Sequence, residues 1–450
     1  MTKSDMCSCP VTLSAQDSIG HWNGVIHGLL SHSQQTPVHL GKLMEAEPEF
    51  AMGHAARGLF CMMTGRAEVL ASARNALAAA RTAAKHTTIT PREQGWIDAL
   101  ALWLDGRPTA AIAAVEAVLR ALPHDTLSAK LSHGIRFMLG DHHGMRRSIE
   151  RVLDAHSEQN TCRGFLLGCH AFTLEETGEY ARAEATGLMG LTLAHDDAWG
   201  LHAVAHVHDM TARADDGIAL IEDNTAAWSG SNNFRYHVWW HKALLHMERG
   251  ELDVALGLYD AQIRADKTDD YRDISNATSL LSRLELEGVD IGPRWEELAD
   301  FSENRVEDGC LVFADLHYLL ALTGADRGPA RKAMTARFAR DAVKTGEMSA
   351  RVEAPGTAAL AGLNAFSEGR YDTAFLNLAA ARPLMQTIGG SHAQRDVFER
   401  ITVDAGLRAG RYDATAAILR DRQKLRGGTL DRFAATRLGK IEAARSIAAQ

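Results

Sequence analysis

Proline is scarce, with ten in 450 residues, so little in the chain forces a helix to stop. Aromatic residues make up only 6%. Alternating β-branched runs bounded by hairpin turns are missing, which argues against a fold built on sheets. Six cysteines (Cys7, Cys9, Cys61, Cys162, Cys169, Cys310) lack paired framework spacing. That excludes a disulfide scaffold and suits a reducing compartment, with Cys7-Ser-Cys9 a weak metal or redox hint. No stretch of roughly 18 uncharged apolar residues occurs, and the opening MTKSDMCSCPVTLSAQ has no apolar core, so a cytoplasmic protein without a membrane partner is expected. Lys and Arg number 48 against 57 Asp and Glu, a net charge of −9. Nucleic acid is therefore not an expected partner, because broad binding to phosphate needs a basic surface. A P-loop, a dinucleotide fingerprint and a nucleophile elbow are also missing, which removes the most legible enzyme classes.

What the chain does have is a period. Glycines that end one helical run and open another stand at Gly65, Gly106, Gly140, Gly178, Gly250, Gly288, Gly369 and Gly410. From 106 to 140 is 34, from 140 to 178 is 38, from 250 to 288 is 38, and the 72 from 178 to 250 is two units of 36. That is the period of a helix-turn-helix solenoid, about 34 residues in its standard form. The phrases GEYARAE, GELDVAL, GRYDTAF and GRYDATA follow four of these glycines. The helices carry the matching stripe: after Thr90, Trp96, Ala99, Leu100, Trp103 and Leu104 recur at i, i+3, i+4, i+7, i+8, with Thr90 and Glu93 predicted to form a capping box. A chain of 450 residues is too long for one compact core but not for a stacked array. The expected fold is all-α: a tetratricopeptide-like α-solenoid, a right-handed superhelix of helix-turn-helix repeats over residues 16–450, after a flexible segment 1–15. Terminal helices of such arrays often pair with a symmetry mate, which leaves a homodimer open.

Four of the 21 histidines come as two i, i+4 pairs, His202 with His206 and His237 with His241. That spacing sets both imidazoles on one helix face. The pairs are themselves in register, since 237 − 202 = 35 and 241 − 206 = 35. Neighbouring inner helices lie on the order of 10 Å apart, so four imidazoles can converge on a concave face. A further step of 35 from His237 reaches Arg272, beside Asp273, a carboxylate that could ligate a metal or orient a ring. Other polar residues within reach are Glu175, His208, His317 and His392, with Trp240 beside the rings. His317 sits in an apolar run, where a hydrogen-bonded core histidine is the commoner outcome, and Cys169-His170 reads as structural. The four histidines suit a divalent transition metal such as Zn, or acid–base work without one.

The segments DAWGLHAVAHVHDM (197–210), FRYHVWWHKALLHMERGELDVALGLYD (234–260), SLLSRLELEGVDIGPRW (279–295) and GGSHAQRDVFE (389–399) resemble the tetratricopeptide repeat protein 38 family in order and spacing. The resemblance implies a tetratricopeptide-like chain whose motif histidines are His202, His206, His237 and His241, with Asp273 on an acidic position. It brings no reaction with it. Two functions are then expected. One is an enzyme, hydrolytic by preference, using His202, His206, His237, His241 and Asp273 on a small polar molecule held by Glu175, Trp240, His317 and His392. The other is a scaffold that holds a peptide or protein partner in its groove.

Overall fold

The computed structural model describes residues 2–15 and 17–448. Helices dominate, and the strands among the described residues are β1 (Thr2–Ser4) and β2 (Pro10–Thr12), a short antiparallel hairpin. The fold is all-α and tetratricopeptide-like, an α-solenoid of helix-turn-helix repeats. Its first helices begin at residues 91, 126, 163, 198, 234 and 271, in steps of 35, 37, 35, 36 and 37.

The turns explain the period. All eight glycines of the sequence pattern have positive φ, from 61° at Gly65 to 86° at Gly288, the left-handed conformation that costs a side-chain-bearing residue most. At Gly178 the cap is complete: its N–H donates to the Glu175 carbonyl at 2.9 Å, and the Glu179 N–H to that of Leu174 at 2.9 Å. Two otherwise orphaned carbonyls are thereby satisfied as the chain reverses. At the opposite end of a helix, Thr90 and Glu93 form the predicted capping box. Glu93 also accepts from the Thr12 amide at 2.9 Å and hydroxyl at 2.7 Å.

Contacts group the chain into two compact units, Met1–Val204 with Asn224–Arg235, and Ala205–Asp223 with Tyr236–Gln450. The sequence reading expects a single array, because the break falls inside a helix, Ala198–Met210, with no linker to mark it. Unit 1 stacks helical hairpins, Ser18–Leu30 with Thr36–Ala46, Ala51–Met63 with Leu70–His86, Pro91–Leu104 with Pro108–Ala121, Thr126–Met138 with His142–Val152, and Arg163–Glu176 with Tyr180–Leu193. Its first residues, expected to be flexible, are docked. Asp5 is buried and accepts from the amides of Cys7 and Cys9, from Trp22 Nε1 at 3.2 Å and from Arg92 Nη1 at 2.6 Å. Arg92 in turn holds Asp125 through two bonds of 2.7 Å, and Cys7 Sγ lies 3.7 Å from Cys162 Sγ. A segment without a hydrophobic run is held here by a buried charge network.

Apolar residues of unit 2 gather into cores. One surrounds Trp240, Leu280, Leu281, Leu284, Trp295 and Leu298, and another Phe375, Val403, Leu419 and Phe433. Among the described residues no helix is long and apolar enough to cross a membrane.

Candidate functional site

Apart from Glu175, the candidate residues lie on five helices: α1 (Ala198–Met210), α2 (Phe234–Glu248), α3 (Tyr271–Leu286), α4 (Val312–Gly324) and α5 (His392–Arg408). The first three open successive repeats. Residues about 35 apart therefore occupy equivalent places on adjacent helices, which brings His206 beside His241.

In unit 2, His206, His237 and His241 are all buried. His206 Nε2 lies 3.0 Å from His241 Nε2, and His241 Nε2 lies 3.2 Å from His237 Nε2. The three Nε2 atoms thus meet at one place. His237 Nδ1 is 2.8 Å from Asn276 Oδ1 on α3. An amide oxygen only accepts, so His237 Nδ1 carries the proton and its Nε2 presents a lone pair. Burial pushes His237 down to about 3, although the Asn276 bond acts the other way; the ring is neutral at physiological pH.

The proton on His237 Nδ1 constrains the other two rings. His241 Nε2 can hold one hydrogen at most, yet it contacts two other Nε2 atoms, one of them a fixed lone pair. If His241 donates to His237 it cannot accept from His206. If it accepts from His206, it faces the His237 lone pair at 3.2 Å. A His241 Nε2–H shared between the lone pairs of His206 and His237 occupies all three nitrogens, and so would a cation bound among them. Donors on a tetrahedral ion, each about 2.0–2.1 Å from it, sit roughly 3.3 Å from one another, close to the separations found here.

The ring surroundings are tight. Trp240 stacks on His237 with centroids 5.2 Å apart and planes 15° from parallel, and the Arg283 guanidinium lies 5.4 Å from the Trp240 ring centre. Trp240 is wholly buried, and its Nε1 finds no partner among the described residues. On α3, Ala277 packs in the same apolar core as Trp240.

The remaining predicted residues are His202, Glu175, Asp273, His208, His317 and His392. His202 is one helical turn before His206 and belongs to unit 1, where its ring packs 5.7 Å from Phe172, 5.1 Å from Trp199 and 5.3 Å from Phe234. Glu175 is also in unit 1, buried near the end of helix Arg163–Glu176. Asp273 is buried on α3 and accepts from Thr268 Oγ1 at 2.5 Å; the group that orients His237 is Asn276, one turn further on. His208 is buried on α1. His317, on α4, donates from Nδ1 to the Phe313 carbonyl at 2.7 Å and lies between Phe313 and Phe398. Burial pushes it down to about 3. His392 opens α5 directly after the capping residue Ser391. Its ring centre is 5.4 Å from that of His206, and it lines a cavity of about 270 Å³.

Asn276 is the functional residue that the sequence reading passes over. The signal was present, since 241 + 35 = 276 continues the register of the second histidine in each pair.

Fold and site together define a helical-repeat protein of tetratricopeptide type with a buried histidine cluster. No protein-family profile matches the chain. Among solved structures, the human IFIT1 dimer with m7Gppp-AAAA matches 96% of this chain and 96% of its own at 14% identity, with a TM-score of 0.43. The human IFIT1 dimer with PPP-AAAA covers the same shares at 14% identity and a TM-score of 0.41. The Naa15/Naa10 structure bound to HypK-THB aligns over 96% of this chain and 66% of its own, at 11% identity and a TM-score of 0.26. Likeness at this level carries nothing about site or ligand.

Proposed function

We propose that the chain is a relative of the tetratricopeptide repeat protein 38 family and that His206, His237 and His241 form a centre for a divalent transition metal such as Zn. His202, one turn from His206 on the same helix, is the fourth candidate ligand. The reaction favoured for this centre is metal-assisted hydrolysis of a small polar molecule. The observation that carries the reading is the meeting of three Nε2 atoms at 3.0 and 3.2 Å, with His237 held as the Nδ1–H tautomer by Asn276.

Three histidines are a donor set for Zn, Cu or Ni, and a bound ion of this kind brings the pKa of its water toward about 7. The protein's own part is orientation. Asn276 fixes the His237 ring, and Trp240 covers one face of it and excludes water. His392 touches both His206 and the cavity, which suits it to hold a proton or a substrate group at the edge of the centre.

Elemental analysis of the purified full chain tests this, beside a variant with His206→Ala and His241→Ala. Near-stoichiometric metal in the wild type that is lost in the folded variant supports a metalloenzyme. A wild type that stays metal-free after incubation with Zn, Co and Ni would overturn it and bring forward the scaffold with a peptide or protein partner.

A further inference from the structure

The histidine centre uses none of the cysteines, and three of them lie together in unit 1. Cys7 and Cys9 stand at the tip of the β1–β2 hairpin. The Asp5 amide donates to the Cys9 carbonyl at 3.0 Å, the Ser8 amide to that of Asp5 at 2.8 Å, and Asp5 Oδ1 accepts from the amides of Cys7 and Cys9 at 2.9 and 3.1 Å. These bonds converge on Asp5, which the Arg92 guanidinium fixes at 2.6 Å. The tip is thereby set in one shape, with the Cys7 side chain turned inward at 1% exposure and the Cys9 thiol donating to the Cys7 carbonyl at 3.6 Å.

What Cys7 meets is the start of helix Arg163–Glu176. Cys162 is the N-cap residue of that helix, its amide donates to Asn160 Oδ1 at 2.8 Å, and its Sγ lies 3.7 Å from Cys7 Sγ. Beside this contact the Thr161 hydroxyl donates to the Met6 carbonyl at 3.0 Å. Residues 6 and 7 thus lie against 161 and 162 through two adjacent contacts, which fixes the pairing of the sulfurs. Closing 3.7 Å to a disulfide of about 2.05 Å takes a movement of about 1.7 Å, shared between two side chains. Both thiols are buried, yet each adjoins an exposed residue in the chain, Ser8 and Thr161.

The two sulfurs are not equivalent. A helix N-terminus favours negative charge, and that is where Cys162 sits. The hydrogen bond from the Cys7 thiol holds Cys162 below the usual thiol range, helped by Thr161 and Thr126 against the burial that would raise it. Cys7 moves the opposite way, well above that range, through the same hydrogen bond and burial. Burial also pushes up Cys9, Cys61, Cys169 and Cys310. Among the described residues Cys162 is therefore the cysteine best able to act as a thiolate, with a protonated thiol beside it. An attacking sulfur next to a resolving one has this arrangement.

We propose that Cys7 and Cys162 form an oxidative modification site that takes a hydroperoxide, such as hydrogen peroxide, and closes to a disulfide. The Cys162 thiolate attacks one peroxide oxygen and the O–O bond breaks; the departing hydroxide takes up a proton as water and leaves Cys162 as a sulfenic acid. The Cys7 sulfur then attacks Cys162 Sγ, the S–O bond breaks, and the Cys7 proton leaves with the hydroxide as a second water. Two thiols and one peroxide become one disulfide and two waters, the sulfurs supplying the two electrons that the peroxide accepts. The bond ties the N-terminal hairpin to a helix start 155 residues along the chain, a long loop whose closure constrains the unfolded state strongly. The site is independent of the metal-centre reading.

The test is equimolar hydrogen peroxide on the reduced full chain in native buffer with a chelator, quenched with N-ethylmaleimide in urea, digested without reductant and read by mass spectrometry. Expected is a linked Cys7–Cys162 peptide pair, lighter than its two thiol peptides by two hydrogens and lost on treatment with dithiothreitol. Chain oxidised in urea is the control, where near neighbours in sequence pair, Cys7 with Cys9 and Cys162 with Cys169. A native chain that gives the same mixture, or that returns Cys7 and Cys162 as N-ethylmaleimide adducts while Cys61 or Cys310 oxidises, overturns the site. In Cys7→Ser, where a hydroxyl keeps the hydrogen bond, dimedone should label Cys162 as the sulfenic acid, and in Cys162→Ser it should leave Cys7 unlabelled. Labelling of Cys7 instead overturns the assigned order of attack. The linked peptide is read in the wild type, so a variant that fails to fold leaves that decision intact.

Discussion

His237 reaches the other two rings with a defined proton, because Asn276 Oδ1 accepts from Nδ1 at 2.8 Å and leaves Nε2 as the donor atom. Partners of this kind typically set 10–100-fold of metal affinity. Asn276→Leu is therefore expected to weaken Zn binding by about that factor in a chelator competition assay, while His241→Ala abolishes it. Equal affinity in Asn276→Leu and wild type would show that the amide does not orient the ring. The depressed values of His237 and His317 also predict a pH dependence. Both sit near 3 when folded and near 6.5 when unfolded. Their neutral forms favour the folded state fully above about pH 6.5, and that contribution is lost as pH falls from there toward 3, where the unfolded chain binds protons that the folded chain refuses. Urea midpoints between pH 7 and 4.5 should fall, and less steeply in a folded His317→Gln variant. At this scale the histidine pairs were legible as paired spacings. Asn276 was not singled out, because a lone amide in sequence looks like any surface polar residue until a ring is found against it.

At the scale of elements, the repeat is punctuated by left-handed glycines and by caps, and both can be tested singly. Gly410 has φ of 70° and open space around an added Cβ. Gly410→Ala should therefore cost about 1–2 kcal/mol from backbone strain alone, read as a lower urea midpoint without loss of helix. The N-terminal hairpin depends on a different device, Arg92 buried between Asp5 and Asp125 at 2.6 and 2.7 Å. Arg92→Ala leaves two buried carboxylates without a cationic partner and is expected to destabilise unit 1 by about 3–5 kcal/mol. A loss below about 1 kcal/mol would place the network among pairs of surface strength. The caps were readable because each needs only neighbours four or five residues away. The docking of residues 2–15 was not, because Asp5 meets Arg92 across 87 residues and Cys7 meets Cys162 across 155.

For the whole molecule, His206, His237, His241 and the cavity beside His392 belong to unit 2. Metal binding should then stabilise unit 2 directly. Zn at about 100 times its dissociation constant adds about 2.7 kcal/mol to whatever unfolds with the site, and a chelator removes it. Hydrogen exchange with and without Zn should show the added protection in helices α2 and α3, and protection confined to unit 1 would contradict the assignment. By itself the sequence determined the helical class, the repeat length, the positions of the turns and the pairing of His206 with His241, all of which follow from local backbone preference carried forward by a constant period. The tertiary structure alone decided that there are two units, that Asn276 holds His237, and that arginines gather around one cavity. Those outcomes rest on side chains such as Arg283 with Ala393, 110 residues apart, and Arg426 with Asp209, 217 apart. No local periodicity encodes which distant charges will share a buried space.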